Sequence, residues 1–310
     1  MDLSSINAAS LIASLMVAST PILLAALGEM VVEKAGVLNL GVEGMMIAGA
    51  VCGFVIAVET GSPLAGFAFA AFGGAVLSLL FGVLTQYLLS NQVATGLGLT
   101  LFGLGLSALL GQGYVGQKAP PIARLDIPVL SDLPFVGPVL FSHDVMLYLS
   151  LAMVAGVAWW LKNARGGLIL RSVGENHDAA HALGYKVVRI RLMAIMFGGA
   201  CAGLGGAYLS LVRVPTWVEG MTAGAGWIAL AIVVFASWKA GRVLLGAYLF
   251  GGITVLQLNL QAAGAKLPVV VLDSSPFVIT IVVLVVMSSA RNRAALAAPA
   301  SLGRPFHASG

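Results

Sequence analysis

The sequence predicts an all-α, polytopic membrane protein of about nine transmembrane helices, folded as one domain over residues 1–310. Three observations predict it. The chain is 59% apolar and only 9% charged, against about 25% charged in a soluble domain. Its mean hydropathy is +1.01. Charge-free runs at 3–28, 63–117, 145–161, 192–212 and 274–290 approach or exceed the roughly 20 apolar residues that cross a bilayer. The net charge of +4 gathers in a few loops, which fits the positive-inside bias and gives no basic surface for nucleic acid.

The first span is expected at 8–27, with Pro21 placed to kink it or to begin its second half. A polar stretch, 28–43, follows. The second span, 44–58, ends at the turn from Glu59 to Pro63. The third and fourth, 64–89 and 93–111, are separated by Asn91 and Gln92. Segment 112–144 carries five prolines and few cations, so it reads as an external loop. The fifth span is 145–161. Loop 162–191 holds Lys162, Arg165, Arg171, Lys186, Arg189 and Arg191, the densest basic cluster, and reads as cytoplasmic. The sixth span, 192–211, is glycine-rich. An external loop, 212–223, leads to a seventh span near 225–238. Lys239 and Arg242 mark a cytoplasmic turn before the eighth, 243–262. Residues 264–275 return outside, and a ninth span, 276–290, brings the basic tail 291–310 inside. The N-terminus is then external. It lacks a basic region ahead of its apolar run, so a cleaved signal peptide is not expected. Cys52 and Cys201 lie in separate apolar runs and read as buried thiols. The five tryptophans, including Trp217 and Trp238, fit interfacial belts.

The chemistry-bearing residues are few. Glu29, Glu33, Lys34, Asn39 and Glu43 sit among glycines in the polar stretch; charges near a bilayer are costly and mark an interface or a pathway. In loop 162–191, Ser172 and Glu175 have capping-box spacing, and Gly184 suits a helix stop. A short helix there would present Ala179, Ala180 and Leu183 on one face, small enough to dock into a groove on a soluble partner; a solvated loop is the alternative. His177 and His181 are four apart, as in a zinc-protease helix, but no third ligand is evident nearby. Gln257, Asn259 and Gln261 in the eighth span face either the protein interior or a wet path. None of the six lysines is followed by Ser or Thr, so Walker A is absent. Glycine pairs at 36–50 and 198–207 hint at an internal repeat.

Taken together, these segments resemble a family. Glu33-Lys-Ala-Gly-Val-Leu-Asn-Leu-Gly-Val-Glu-Gly44, Asn91-Gln-Val-Ala-Thr-Gly96 and its continuation to Gly105, Gly174-Glu-Asn through Ala179, Ala180, Leu183 and Gly184, and Gly226-Trp-Ile-Ala-Leu-Ala231 occur in order along 20–290. They are similar to the motifs of ABC-importer permeases serving simple sugars, nucleosides and branched-chain amino acids, and most of all to the smaller permease of guanosine-type nucleoside importers. Two departures stand out: Lys34 replaces the usual Arg, losing its fork geometry, and His177 stands where Pro is common.

The resemblance implies an ABC-importer permease fold in a bacterial inner membrane, forming the translocation pathway for purine nucleosides or simple sugars. It implies no catalysis and no cofactor on this chain, with ATP-Mg on a partner ATPase. The implied partners are that cytoplasmic ATPase, a second permease subunit and an extracytoplasmic substrate-binding protein or lipoprotein. The implied ATPase-coupling residues are Gly174, Glu175, Asn176, Ala179, Ala180, Leu183 and Gly184. Pathway or gate residues are expected among Glu33, Asn39, Gly41, Glu43, Gly44, Asn91, Gln92, Gln257 and Asn259. Two competing classes remain. An ion-coupled secondary transporter or channel needs mid-span carboxylates, which the spans from 145 onward lack; an intramembrane enzyme would rest on His177 and His181 alone.

Overall fold

The computed structural model describes residues 8–126, 136–262 and 298–307, with single positions at 274, 278, 281, 282 and 285. Apart from those positions, the expected ninth span and the loop before it lie outside the described residues, as do Arg291 and Arg293. Among the described residues seven helices are long and apolar enough to cross a membrane. They are α1 (Ala8–Lys34), α2 (Val42–Thr60), α3 (Pro63–Gln86), α4 (Gln92–Gly111), α6 (Val145–Asn163), α9 (Val187–Tyr208) and α11 (Ala240–Ala262). Between them lie the short α5 (Val136–Leu140), α7 (Arg165–Glu175), α8 (His177–Ala182) and α10 (Ala225–Phe235).

Local chemistry sets most of the ends. Ser62 caps α3, accepting from the Ala65 amide at 3.4 Å, with Pro63 in the first turn where its missing N–H costs nothing. Gly61, at φ +67°, stops α2 in the left-handed region. Asn91 caps α4 through the Ala94 amide at 3.0 Å. Asp144 caps α6 through the Leu147 amide at 3.0 Å, and its other oxygen accepts from the Tyr208 hydroxyl at 2.6 Å. That buried carboxylate ties the start of α6 to the end of α9. Between α4 and α6, β1 (Arg124–Asp126) pairs antiparallel with β2 (Ser142–Asp144), Leu125 opposite His143. Val115 and Lys118 bridge to Trp217 and Thr216. Residues 115–119 are thus folded onto the segment after α9.

α9 is the axis of the bundle, packed on α1, α2 and α3. Its glycines make that possible. Gly198 lies against Gly28, Gly199 against Gly74 and Ser78, Gly203 against Ala70 and Gly74, Gly205 against Pro21, and Gly206 against Met46. Apart from the Ser78 side chain, these are contacts with main-chain atoms, the small-residue packing that helices use where lipid supplies no hydrophobic drive. α11 covers α1, and α4 covers α2.

Four expectations are corrected. α1 does not end at 27: it carries Glu29 and Glu33 within the helix to Lys34, because both carboxylates find donors inside the protein. α9 begins at Val187, five residues early, and draws Arg191 out of the basic loop into full burial. The seventh span is not a full one. α10 has 11 residues, about 16 Å of helix, roughly half the hydrocarbon thickness. Trp217 and Trp238 are not belt residues. Trp217 is 2% exposed, stacked over Gly111 with its ring 6.4 Å from Phe54, and Trp238 is also buried. Trp159, by contrast, is 63% exposed.

Candidate functional site

The polar stretch becomes a short crossing, 35–41, between α1 and α2. Gly36, at φ +84°, turns the chain back after α1. The crossing then climbs beside α1 rather than away from it. The Asn39 amide N–H and its Nδ2 both donate to the Glu29 carboxylate at 3.3 Å, and Asn39 Oδ1 accepts from the Gly41 amide at 3.0 Å. Glu29 lies five residues before Lys34, so α2 starts about 7 Å deeper than α1 ends. α4 holds the other side. Gln92 Oε1 accepts from the Leu38 amide at 2.8 Å, and Thr100 Oγ1 donates to the Leu40 carbonyl at 3.2 Å. Gly96 sits under Leu40 and Gly41, and Gly103 under Gly44.

Glu43 makes the second joint. Its Oε1 accepts from Thr222 Oγ1 at 2.5 Å and the Gly224 amide at 2.9 Å, and its Oε2 from the Gly226 amide at 2.7 Å. The carboxylate therefore sits on the N-terminus of α10, where unsatisfied amides and the helix dipole favour negative charge. Gly226 must lack a side chain, since a Cβ there would fall 2.5 Å from Glu43 backbone. At the other end of the half-helix, Trp238 Nε1 donates to Glu33 Oε2 at 2.5 Å. Glu33 and Glu43 thus clamp α10 at both ends.

The arm beyond α6 is two helices, not one. α7 is amphipathic, and Asn176 separates it from α8. Asn176 Oδ1 caps α8 through the Ala179 amide at 2.9 Å. The expected Ser172–Glu175 capping box is absent, because Ser172 sits inside α7 and donates to the Ile169 carbonyl. Gly184, at φ +88°, does end α8. The expected single apolar face is divided. Leu183 is 77% exposed and Ala179 is exposed, whereas Ala180 is 2% exposed and packs with Val173, Val187 and Phe306. Gly174 rests against the Lys34 carbonyl, so the arm touches the crossing directly.

Sequence reasoning missed Arg191. Its Nε donates to the Ala35 carbonyl at 3.1 Å, Nη1 to the Arg304 carbonyl at 3.2 Å and to Gln86 Oε1 at 3.5 Å, and Nη2 to His177 Nδ1 at 3.0 Å. A guanidinium only donates, so Nδ1 is the acceptor and the ring proton is on Nε2, 3.6 Å from Asp178. Burial first, and the Arg191 charge second, hold His177 below the ordinary histidine pKa. The signal was available: Val187, Arg191, Ala194, Ile195 and Gly198 share one helical face. No cluster of three metal-ligating side chains occurs among the described residues, and the His177 and His181 rings both pack edge-on to Phe306.

The predicted site residues therefore divide. Glu33, Asn39, Gly41, Glu43, Gly44 and Gln92 come together at the crossing, all buried. Asn91 is an exposed cap nearby. Gln257 and Asn259 lie apart on α11, where Asn259 Nδ2 bonds back to the Val255 carbonyl at 2.8 Å. Two cavities, of about 500 Å³ between α6, α7 and α9 and about 690 Å³ among α2, α3 and α4, have apolar walls and do not reach the crossing.

Comparison with known proteins bears on what this junction serves. The family described as "Branched-chain amino acid transport system / permease component" matches residues 11–287. The chain is 39% identical over 322 residues to "Putative glucose ABC transporter permease protein TsgC13" of Haloferax volcanii, spanning 97% of this chain and 98% of that one. It is 32% identical to the nucleoside ABC transporter permease protein NupC of Lactococcus lactis, over 88% and 90%. It is 29% identical to the guanosine ABC transporter permease protein NupQ of Bacillus subtilis, over 87% and 89%.

Proposed function

Because this chain belongs to the family of branched-chain amino acid transport system permease components, we propose that it forms one side of the solute pathway of an ABC importer for a nucleoside or a simple sugar. It is a transport subunit and not an enzyme. The observation that carries the reading is the joint at Glu43, where α2 and the half-helix α10 both begin inside the bundle. Discontinuous helices whose N-termini meet at depth are the elements on which alternating access turns in many transporters. Here the crossing, α2, α10 and the face of α4 that carries Gln92 and Thr100 form one hydrogen-bonded unit that can shift as a body against α11.

The basic end, with α7, α8 and the tail, faces the cytoplasm by the positive-inside bias, leaving the N-terminus external. ATP-Mg is bound and hydrolysed by a partner ATPase, which docks on Ala179, Leu183 and Gly184, with Gly174, Glu175, Asn176 and Ala180 supporting that surface from behind. An extracytoplasmic binding protein delivers the solute, and a second permease subunit closes the pathway. Asn39, Glu43 and Gln92 shape the gate at the crossing, and Gln257 and Asn259 line the pathway separately, on α11. A nucleoside and a sugar share a polyhydroxylated ring, and the names of the relatives divide between the two.

Two outcomes test this. Leu183→Glu places a charge at the docking surface and is expected to lower uptake about tenfold or more at equal membrane abundance; unchanged uptake would remove α8 as the docking element. Deleting the gene is expected to abolish uptake of radiolabelled guanosine, ribose or glucose, with vanadate blocking the same solute in the parent cells. Loss of guanosine uptake alone fixes a nucleoside importer, and loss of a sugar alone fixes a sugar importer.

A further inference from the structure

Residues 298–307 do not trail away from the bundle. They run through the gap between the α7–α8 arm and the crossing, bonded to both and to Arg191, with Phe306 also packed on Val187 at the start of α9. The Ser301 amide donates to the Gly174 carbonyl at 2.9 Å, and Ser301 Oγ accepts from the His177 amide at 3.4 Å. The Gly303 amide donates to the Gly36 carbonyl at 3.2 Å. The Arg304 carbonyl takes one Arg191 nitrogen. Phe306, 5% exposed, fills the hollow behind α8, its ring 5.4 Å from that of His177 and 5.2 Å from that of His181.

We propose that this tail segment, pinned by Arg191, is a working part of the drive between α8 and the membrane. α8 has only six residues and is joined to α7 by the single residue Asn176, so by itself it is a loosely hinged lever. Phe306 and Ser301 fix it from behind. Arg191 then links α8, through His177, to the crossing, through Ala35, to the end of α3, through Gln86, and to the tail. A push on α8 is carried to the base of α2 instead of being absorbed at Asn176. Arg191 and Phe306 are positioning residues: neither meets solute or nucleotide. The inference rests on the permease reading only for what supplies the push.

The test compares the purified permease assembled with its ATPase in proteoliposomes, measuring ATP hydrolysed per solute imported. Phe306→Ala and deletion of residues 298–310 are each expected to raise that ratio by roughly fivefold or more, the low end of ordinary coupling strengths. Phe306→Tyr is expected to restore it. Arg191→Lys, which keeps the charge but not the fork, is expected to raise the ratio too, and to add little when combined with the deletion. A purely packing role would lower abundance and leave the ratio unchanged, which would overturn the proposal. Hydrogen exchange at the Ala180 and Leu183 amides supplies an arm independent of transport. Faster exchange in Phe306→Ala than in the parent supports the tail as the brace of α8, and equal exchange rejects it. If the parent complex shows no ATP-driven uptake, the permease reading fails, and the exchange comparison still decides the role of the tail.

Discussion

Glu43→Gln is expected to damage the protein nearly as much as Glu43→Ala. The usual expectation is that glutamine, isosteric with glutamate, preserves most of a hydrogen-bonded site. Here all three partners are donors: Thr222 Oγ1, the Gly224 amide and the Gly226 amide. A carboxylate offers two accepting oxygens, whereas an amide offers one and presents N–H from the other side. Glutamine can serve Thr222 and Gly224, but its NH₂ then faces the Gly226 N–H at a separation of 2.7 Å in the parent geometry. Hydrogen bonds to charged groups contribute about 1.5–3 kcal/mol each, and a buried donor left alone costs about 1–3 kcal/mol. A loss of about 3 kcal/mol or more is therefore expected for both variants. Thermal unfolding in detergent and uptake at equal membrane abundance are the measurements. A Glu43→Gln protein that unfolds and transports like the parent would show that the α10 N-terminus does not depend on the carboxylate.

Gly206→Ala is the second large effect. One added methyl group would land on the Met46 carbonyl oxygen and 2.9 Å from the Ala50 amide. Both are main-chain atoms of α2, so no side chain can swing away and α9 must move. Overpacking commonly costs about 1–3 kcal/mol, and a backbone obstacle puts this site at the upper end. Gly156→Ala in α6 is the control. Nothing lies within 4 Å of its Cβ position, and alanine is the better helix former by about 1 kcal/mol. Membrane abundance and unfolding midpoint are expected to fall for the first and to hold or rise for the second. Equal behaviour of the two would remove close α9–α2 packing as a determinant of the fold.

The spans were legible because they depend on local composition. Runs of apolar residues bounded by Gly61, Ser62-Pro63, Asn91 and Asp144 carry their own start and stop chemistry, and Gly184 announced the end of α8. What the sequence hid depends on partners far along the chain. Hydropathy counts 225–238 as a span, since it cannot register that Thr222 to Gly226 turns to meet Glu43. It counts Arg191 as a loop cation, since charge outweighs the helical face it shares with Val187 and Ile195. The Glu33 to Gly44 motif was recognised as special, but its role at the joint follows only from seeing which donors reach Glu29, Glu33 and Glu43. The tail carried no visible pattern, because its contacts are mostly main-chain.

The pairing of Glu43 with the start of α10 has a consequence for biogenesis. The partners are 179 to 183 residues apart. At ordinary translation speeds of about 5–20 residues per second, Glu43 waits roughly 10–40 s before Thr222 and Gly226 have been synthesised. During that interval the nascent chain holds an unmatched carboxylate at membrane depth. α10 in turn, at 11 residues, covers only part of the hydrocarbon thickness by itself, and the bonds from Thr222, Gly224 and Gly226 that seat its start on Glu43 form only once it has been made. A chain that stops between these two points holds a carboxylate without the three donors that match it in the finished fold.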